Sequence, residues 1–334
     1  MKIKRKFLNK RMRKGKVISL LIVLGIGGFF YSGTFLDISR GELQQKYATE
    51  SSDFLKTPDG KIIHYKDEGD PSLPTIVFLH GFNGSLFNFE RLVPFLDNEF
   101  RLVSIDLPGF GLTGAIPSGD YSNDSFIETV NQITEHLNIV TFSIAGNSMG
   151  GGVAWRFALL HPEKIDSLIL LASSSISRKE ERERVESQKR ETPWAWRLMR
   201  SNLTKFFLSY YTPKFFATQG LKASVFDEKI ATDELATQFH DLVLLTGSRN
   251  AIISMFGNRR GYQEDPDILA SIEAPTLVIH GREDNIIPYE SSFIFQEYIK
   301  DVELKIYPNT GHLPMYEAPE KIANDIKKFI EFRF

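Results

Sequence analysis

Six short, unbroken apolar runs recur along the chain: TIVFLHG (75–81), FRLVSID (100–106), VTFSIAG (140–146), DSLILLAS (166–173), TLVIHG (276–281) and VELKIYP (302–308). Runs of this length without polar alternation predict strands buried on both faces. Helical periodicity separates several of them. Phe126, Val130, Ile133 and Leu137 share one face behind a Ser125–Glu128 capping box, and Ile322, Ile326, Phe329 and Ile330 form a stripe behind Pro319 at a helix start. Alternating strands and helices predict an α/β class with a doubly wound, mostly parallel sheet. Asp59-Gly60, between two β-prone stretches, predicts a hairpin ahead of it.

The alternation lapses between residues 174 and 274, where helical patterns occur without a convincing buried strand. A helical cap inserted over the sheet is expected there. Its first part, 178–191, mixes six basic with five acidic residues and reads as a solvated helix face. Eight of the 25 residues from Thr192 to Phe216 are aromatic: Trp194, Trp196, Phe206, Phe207, Tyr210, Tyr211, Phe215 and Phe216. They suit either packing of the cap on the body or the wall of an apolar pocket.

The opposite extreme is at the start of the chain. Residues 17–36 (VISLLIVLGIGGFFYSGTFL) carry no charge and are long enough to cross a bilayer as one helix. Residues 1–16 hold nine Lys or Arg and no acid, which the positive-inside bias keeps cytoplasmic. The expectation is a single-pass anchor with the body outside the cytoplasm. The alternative is a signal segment cleaved near Ser32, Gly33 and Thr34, which would release a secreted body. Residues 37–52 are polar and suit a spacer or a short helix. The expected division is therefore a basic segment (1–16), an anchor or signal (17–36), a spacer (37–52), a core (53–173 with 275–334) and a cap (174–274).

Charge and composition narrow the chemistry. Beyond residue 16 the chain has 31 basic against 42 acidic side chains, so a phosphate backbone is repelled and nucleic acid is not an expected partner. The absence of cysteine removes disulfides, thiolate metal sites and cysteine nucleophiles. No cofactor or metal is expected.

Two glycine motifs follow predicted strands. Gly109-x-Gly111-x-x-Gly114 has dinucleotide-binding spacing, but Pro108 before it and Ile116-Pro117-Ser118-Gly119 after it continue a loop instead of opening a helix, so a structural turn is expected. Gly146-Asn147-Ser148-Met149-Gly150 is a G-x-S-x-G between a strand and a helix, the setting of a nucleophile elbow. A serine hydroxyl needs a base, and the base needs an orienting group. Of the seven histidines, His312 stands in a loop just past the last strand, while His64, His80, His136, His161, His240 and His280 lie within or at the ends of predicted elements. Asp284 occupies the matching loop after TLVIHG, with Glu283 as its rival. The Phe82 amide after His80-Gly81 and the Met149 amide after Ser148 are the candidate oxyanion donors.

HGFNG (80–84), DLPGFGLTG (106–114), GNSMGG (146–151), GREDNIIP (281–288) and TGHLPMYEAPE (310–320) together resemble the α/β-hydrolase family over residues 53–334. The resemblance implies Ser148 as nucleophile, Asp284 as acid, His312 as base, and the Phe82 and Met149 amides as oxyanion hole. Serine at the elbow differs from the aspartate of relatives that open epoxides or remove halide. GNSMGG is similar to two branches, bacterial esterases and lipases, and hydrolases that cleave a carbon–carbon bond in aromatic ring-fission products. Because an exported body meets esters or lipids, the expected activity is carboxylic ester hydrolysis through an acyl-enzyme. The carbon–carbon hydrolase and a non-catalytic binding protein on the same fold are the alternatives.

Overall fold

The computed structural model describes residues 27–28, 33–176, 209–257 and 265–331. The basic segment 1–16, most of the uncharged stretch, the charge-mixed run 178–191 and Trp194, Trp196, Phe206 and Phe207 lie outside these residues. Among the described residues, no helix is long and apolar enough to cross a membrane.

Among the described residues, eight strands form one sheet: β1 (Ser52–Lys56), β2 (Ile62–Glu68), β3 (Thr75–Leu79), β4 (Arg101–Ile105), β5 (Phe142–Asn147), β6 (Ile165–Leu171), β7 (Thr276–Gly281) and β8 (Val302–Tyr307). Their order is β1-β2-β4-β3-β5-β6-β7-β8. The first two make an antiparallel hairpin through Asp59-Gly60, where Gly60 takes φ +84°, and β2 runs antiparallel to β4. From β4 to β8 every neighbouring pair is parallel. The six runs coincide with the six parallel strands to within a residue or two, but β8 is an edge strand in which none of residues 302–306 is fully buried, so VELKIYP is not buried on both faces as expected.

Side-chain alternation feeds two cores, one on each face of the sheet. Val77, Leu79, Val103, Ile105, Ile144 and Val278 point to one side, whereas Ile76, Phe78, Leu102, Ala145, Leu277 and Ile279 point to the other. Helix α1 (Arg40–Tyr47) precedes the sheet, and α2 (Asn123–His136) and α3 (Met149–Leu160) cover the first face with Phe126, Val130, Ile133, Val153 and Phe157. The cap of α2 is Ser122, whose Oγ accepts from the Ser125 amide, so the helix starts before the expected Ser125. An earlier start places Phe126 and Val130 on the buried side with a full turn ahead of them.

Between β6 and β7, the described residues form α4 (Lys214–Ser224), α5 (Asp233–Val243) and α6 (Ser248–Gly257) and contribute no strand to the sheet. After β7 come α7 (Phe293–Tyr298), the short α8 (Pro314–Glu317) and α9 (Pro319–Glu331). Ile322, Ile326, Phe329 and Ile330 of α9 close the second face, as their spacing predicts.

The polar stretch after residue 36 is built into the body. Ser39 caps α1, and Leu43, its one fully buried side chain, enters a third apolar cluster with Leu86, Phe87, Leu112 and Leu245. Arg40 donates to the carbonyls of Leu112 and Thr113.

Strand order reverses at β3, with β4 on one side and β5 on the other. In open α/β sheets, the carboxyl ends of strands at such a switch point frame a crevice. His80-Gly81 leaves β3 at this edge and Ser148 follows β5.

Candidate active site

Ser148 sits between β5 and α3 with φ +54° and ψ −116°, a backbone conformation that L-residues rarely adopt. Its neighbours explain how the turn is accommodated. A Cβ on Gly146 would lie 2.3 Å from the Gly150 carbonyl oxygen, and one on Gly150 would lie 2.2 Å from the Leu79 carbonyl oxygen. Both glycines of the motif are thus required by close backbone approach. The Ser148 amide donates to Leu171 O at 3.1 Å, and its carbonyl accepts from the amides of Gly152 and Ser174. Met149 opens α3, whose first N–H groups have no intrahelical acceptor and point toward the elbow end of the helix.

The His80-Gly81 turn abuts the elbow. A Cβ on Gly81 would stand 3.0 Å from Ser148 Cβ, so the chain carrying Phe82 passes directly against Ser148. His80 is fully buried; its Nδ1–H donates to Gly81 O at 2.7 Å, while its Nε2 accepts from the Leu107 amide at 3.0 Å. Burial lowers the His80 pKa, against the pull of Asp106, which keeps it in this neutral, bridging form.

The other two residues arrive from the β7 and β8 loops. His312 Nδ1 lies 2.7 Å from Asp284 Oδ2, and both residues are buried. Burial acts to raise the Asp284 pKa, but hydrogen bonds from His280 and His312, the His312 charge and the Ile287 amide outweigh it and hold the carboxyl below the usual carboxylate range. Asp284 Oδ1 also accepts the amides of Ile286 and Ile287 at 2.7 and 2.9 Å. An ionised carboxylate facing Nδ1 holds a proton on that nitrogen and leaves Nε2 turned away from Asp284. Asn147 Nδ2 donates to His312 O at 3.0 Å, so the His312 loop closes onto the residue adjoining Ser148. Glu283, the rival acid, turns away and accepts from the Thr310 amide at 3.1 Å.

Three supporting residues escape the sequence reading. His280 places Nε2 3.0 Å from Asp284 Oδ2 and 2.9 Å from Ile287 O, with Nδ1 toward the Ser292 hydroxyl. Glu317 accepts from the Gly311 amide at 2.8 Å and the Phe226 amide at 2.7 Å, and the His312 amide donates to Ser224 O at 2.8 Å, so α4 and α8 together brace the His312 loop. Asp106 accepts from Leu86 and Leu112 amides and faces His64 Nδ1 at 2.6 Å, tying the 107–114 turn to the loop after Gly81. The available signals were a histidine four residues before Asp284, an acid five after His312, and the aspartate opening DLPGFG.

That last network repeats the residue types of the candidate triad, since Ser52 Oγ lies 3.1 Å from His64 Nε2. Ser52 begins the edge strand β1, whereas Ser148 occupies a positive-φ turn at the N-terminus of α3. The Gly109–Gly114 turn takes positive φ at all three glycines and opens no helix, since α2 starts only at Asn123. Beside it, a cleft at Asn83 is walled by Phe110, Phe239, Leu242 and Ile252. Among the described residues, no group of three or more His, Asp or Glu could hold a metal ion.

Comparison with known proteins agrees with this architecture. 2-Hydroxymuconate semialdehyde hydrolase of Pseudomonas putida is 29% identical over 237 residues, covering 69% of this chain and 76% of that protein. Lipase 3 of Moraxella sp. (strain TA144) is 25% identical over 301 residues, covering 87% and 86%. The crystal structure of a membrane phospholipase A, described as a novel bacterial virulence factor, shares the fold with a TM-score of 0.70 at 22% identity, covering 97% of this chain and 98% of that one. The family profile of the alpha/beta hydrolase fold matches residues 74–319, and the chain belongs to that family.

Proposed function

We propose that the protein is a membrane-anchored serine hydrolase that cleaves carboxylic esters through an acyl-enzyme. The observation that carries this reading is the His312–Asp284 pair, tied through the Asn147–His312 hydrogen bond to the residue next to a strained Ser148. In the proposed cycle, Ser148 Oγ attacks the ester carbonyl carbon as His312 Nε2 takes the hydroxyl proton. The Asp284 carboxylate stabilises the imidazolium that forms. The oxyanion is met by the Phe82 and Met149 amides, one such donor being worth about 3–4 kcal/mol. Collapse breaks the ester C–O bond, and His312 returns the proton to the departing alcohol. Water, deprotonated by His312, then releases the acid and regenerates Ser148.

Nine cations followed by an uncharged stretch support a single-pass anchor with the catalytic body outside the cytoplasm, its span ending before Gly33 because residues 33–36 are held on the body. An external body favours ester or lipid substrates, and the likeness to Lipase 3 runs the same way. Carbon–carbon bond hydrolysis is the second reading, favoured by the likeness to 2-hydroxymuconate semialdehyde hydrolase.

A fluorophosphonate probe tests the assignment. Labelling of the wild type and none of Ser148→Ala is expected. Equal labelling of the two, or no labelling of either, would remove the enzyme reading in favour of a binding protein. A panel of esters of graded chain length beside a ring-fission product analogue separates the two chemistries.

A further inference from the structure

The segment that ends the uncharged stretch is bound to the insertion between β6 and β7. Thr34 pairs with Tyr211 in an antiparallel bridge, and the Thr212 amide donates to Gly33 O at 2.8 Å. The Tyr211 ring lies against Gly33, where a Cβ would be 2.2 Å from it. Arg249 donates to Phe35 O at 3.0 Å and to Thr212 Oγ1 at 3.2 Å, and also pairs with Asp37. Ile38 then pairs with the Leu244–Thr246 strand-like turn. Residues 33–38 are therefore a strap across α5 and α6.

Large side chains with apolar surface are exposed on this strap and, in the chain, close to the residues it pairs with. Leu36 is 87% exposed, Tyr210 55%, Phe215 62% and Phe216 55%. Single exposed apolar residues are ordinary, but several grouped at one place mark a contact surface. Tyr210 adjoins the bridge residue Tyr211, and Phe215 and Phe216 follow it within five residues, their rings 6.3 Å apart. The one acid in the strap, Asp37, is neutralised by Arg249.

We propose that this face, bearing Leu36, Tyr210, Phe215 and Phe216, rests in the headgroup region of the lipid bilayer. The inference depends on the anchor reading above and adds to it an orientation for the body. Its occupant follows from where the uncharged stretch goes. Gly27 and Gly28, inside that stretch, are helical and exposed, with open space where a Cβ would lie, so the chain stands off the body there. Gly33 lies five positions after Gly28, a reach of at most about 18 Å, which keeps the patch close to the point where the helix leaves the membrane. Aromatic and leucine side chains are those that settle at that depth.

The orientation also bears on substrate. Helix α4 starts at the patch and ends at Ser224, whose carbonyl holds the His312 amide. Eleven residues span about 16 Å, so the candidate base lies within about one short helix of this face. Esters whose chains remain in the membrane are the substrate class this placement serves.

Because the chain lacks cysteine, single-cysteine variants of the full-length protein carry one fluorophore each. Phe216→Cys, Leu36→Cys, Leu24→Cys and Val140→Cys are labelled with an environment-sensitive dye in vesicles of phosphatidylethanolamine and phosphatidylglycerol containing doxyl-labelled lipid. Val140 is 80% exposed just before β5, at the opposite edge of the sheet from Ser148. Quenching at positions 216 and 36 roughly threefold or more above that at 140 is expected for interfacial burial. Quenching at 24 without quenching at 216 and 36 overturns the orientation and leaves the anchor standing. No quenching at 24 overturns the anchor and the orientation together. Equal quenching at 140 and 216 also overturns the orientation. In a second arm, Phe215→Ser with Phe216→Ser is expected to lower hydrolysis of vesicle-borne ester lipid about fivefold relative to a short soluble ester, and an unchanged ratio overturns the substrate assignment.

Discussion

His280 and His312 both face one oxygen of Asp284: Oδ2 lies 3.0 Å from His280 Nε2 and 2.7 Å from His312 Nδ1. His280 Nε2 meets two acceptors, the carboxylate and Ile287 O, so it carries the proton, and Nδ1 accepts from the Ser292 hydroxyl. The acid that orients His312 is thus itself oriented from below. His280→Ala is expected to lower kcat about tenfold, the worth of one such hydrogen bond, with KM nearly unchanged. His280→Gln, which keeps an N–H donor, is expected to recover most of that loss. The kcat and KM split, measured beside Tm for both variants, distinguishes positioning from loss of fold.

Removing the proposed base is expected to have a larger effect. His312→Ala and Asp284→Asn are each expected to reduce kcat about ten-thousandfold on the best ester found, with the fold intact by circular dichroism. Turnover near that of the wild type in either variant would refute the proposed roles.

The elbow glycines admit no side chain. In Gly150→Ala the new methyl meets the Leu79 carbonyl oxygen at 2.2 Å, backbone that cannot swing aside. A loss of about 1–3 kcal/mol or more in urea unfolding is expected, with fluorophosphonate labelling reduced further than stability alone explains.

Stability should depend on Asp284 in acid. Its folded pKa is lowered, so the unfolded state binds the proton first as pH falls. The contribution is complete above the ordinary carboxylate pKa of about 3.9 and is lost as pH drops from there through the lowered folded value. The gap in urea midpoint between wild type and Asp284→Asn is therefore expected to narrow between about pH 4.5 and pH 2.5, and a gap that widens would contradict this sign.

Much of the core was legible because burial on both faces leaves an unbroken apolar run, and each of the six runs overlaps a parallel strand, although the edge strand β8, with Glu303 and Lys305, is not buried on both faces. The elbow was legible for a different reason: close backbone approach demands glycine at 146 and 150, and glycine is visible in a sequence. His280 was hidden, since a histidine ending a strand has no local mark of which carboxylate it meets. The cap of α2 was misplaced by one turn, because Ser122 and Ser125 both fit a capping pattern and only the burial of the following face decides between them. The docking of α1 was equally unreadable, with Leu43 its single buried residue and no apolar stripe to announce a partner.

That docking decides where an expressible fragment must begin. Leu43 shares a cluster with Leu86, Phe87 and Leu112, and Arg40 binds the backbone beside the Asp106 turn. A truncation at the first sheet residue would strip the lid from that cluster and leave its greasy floor open to aggregation. Production of a soluble catalytic body calls for a start near Gly33, with the strap retained.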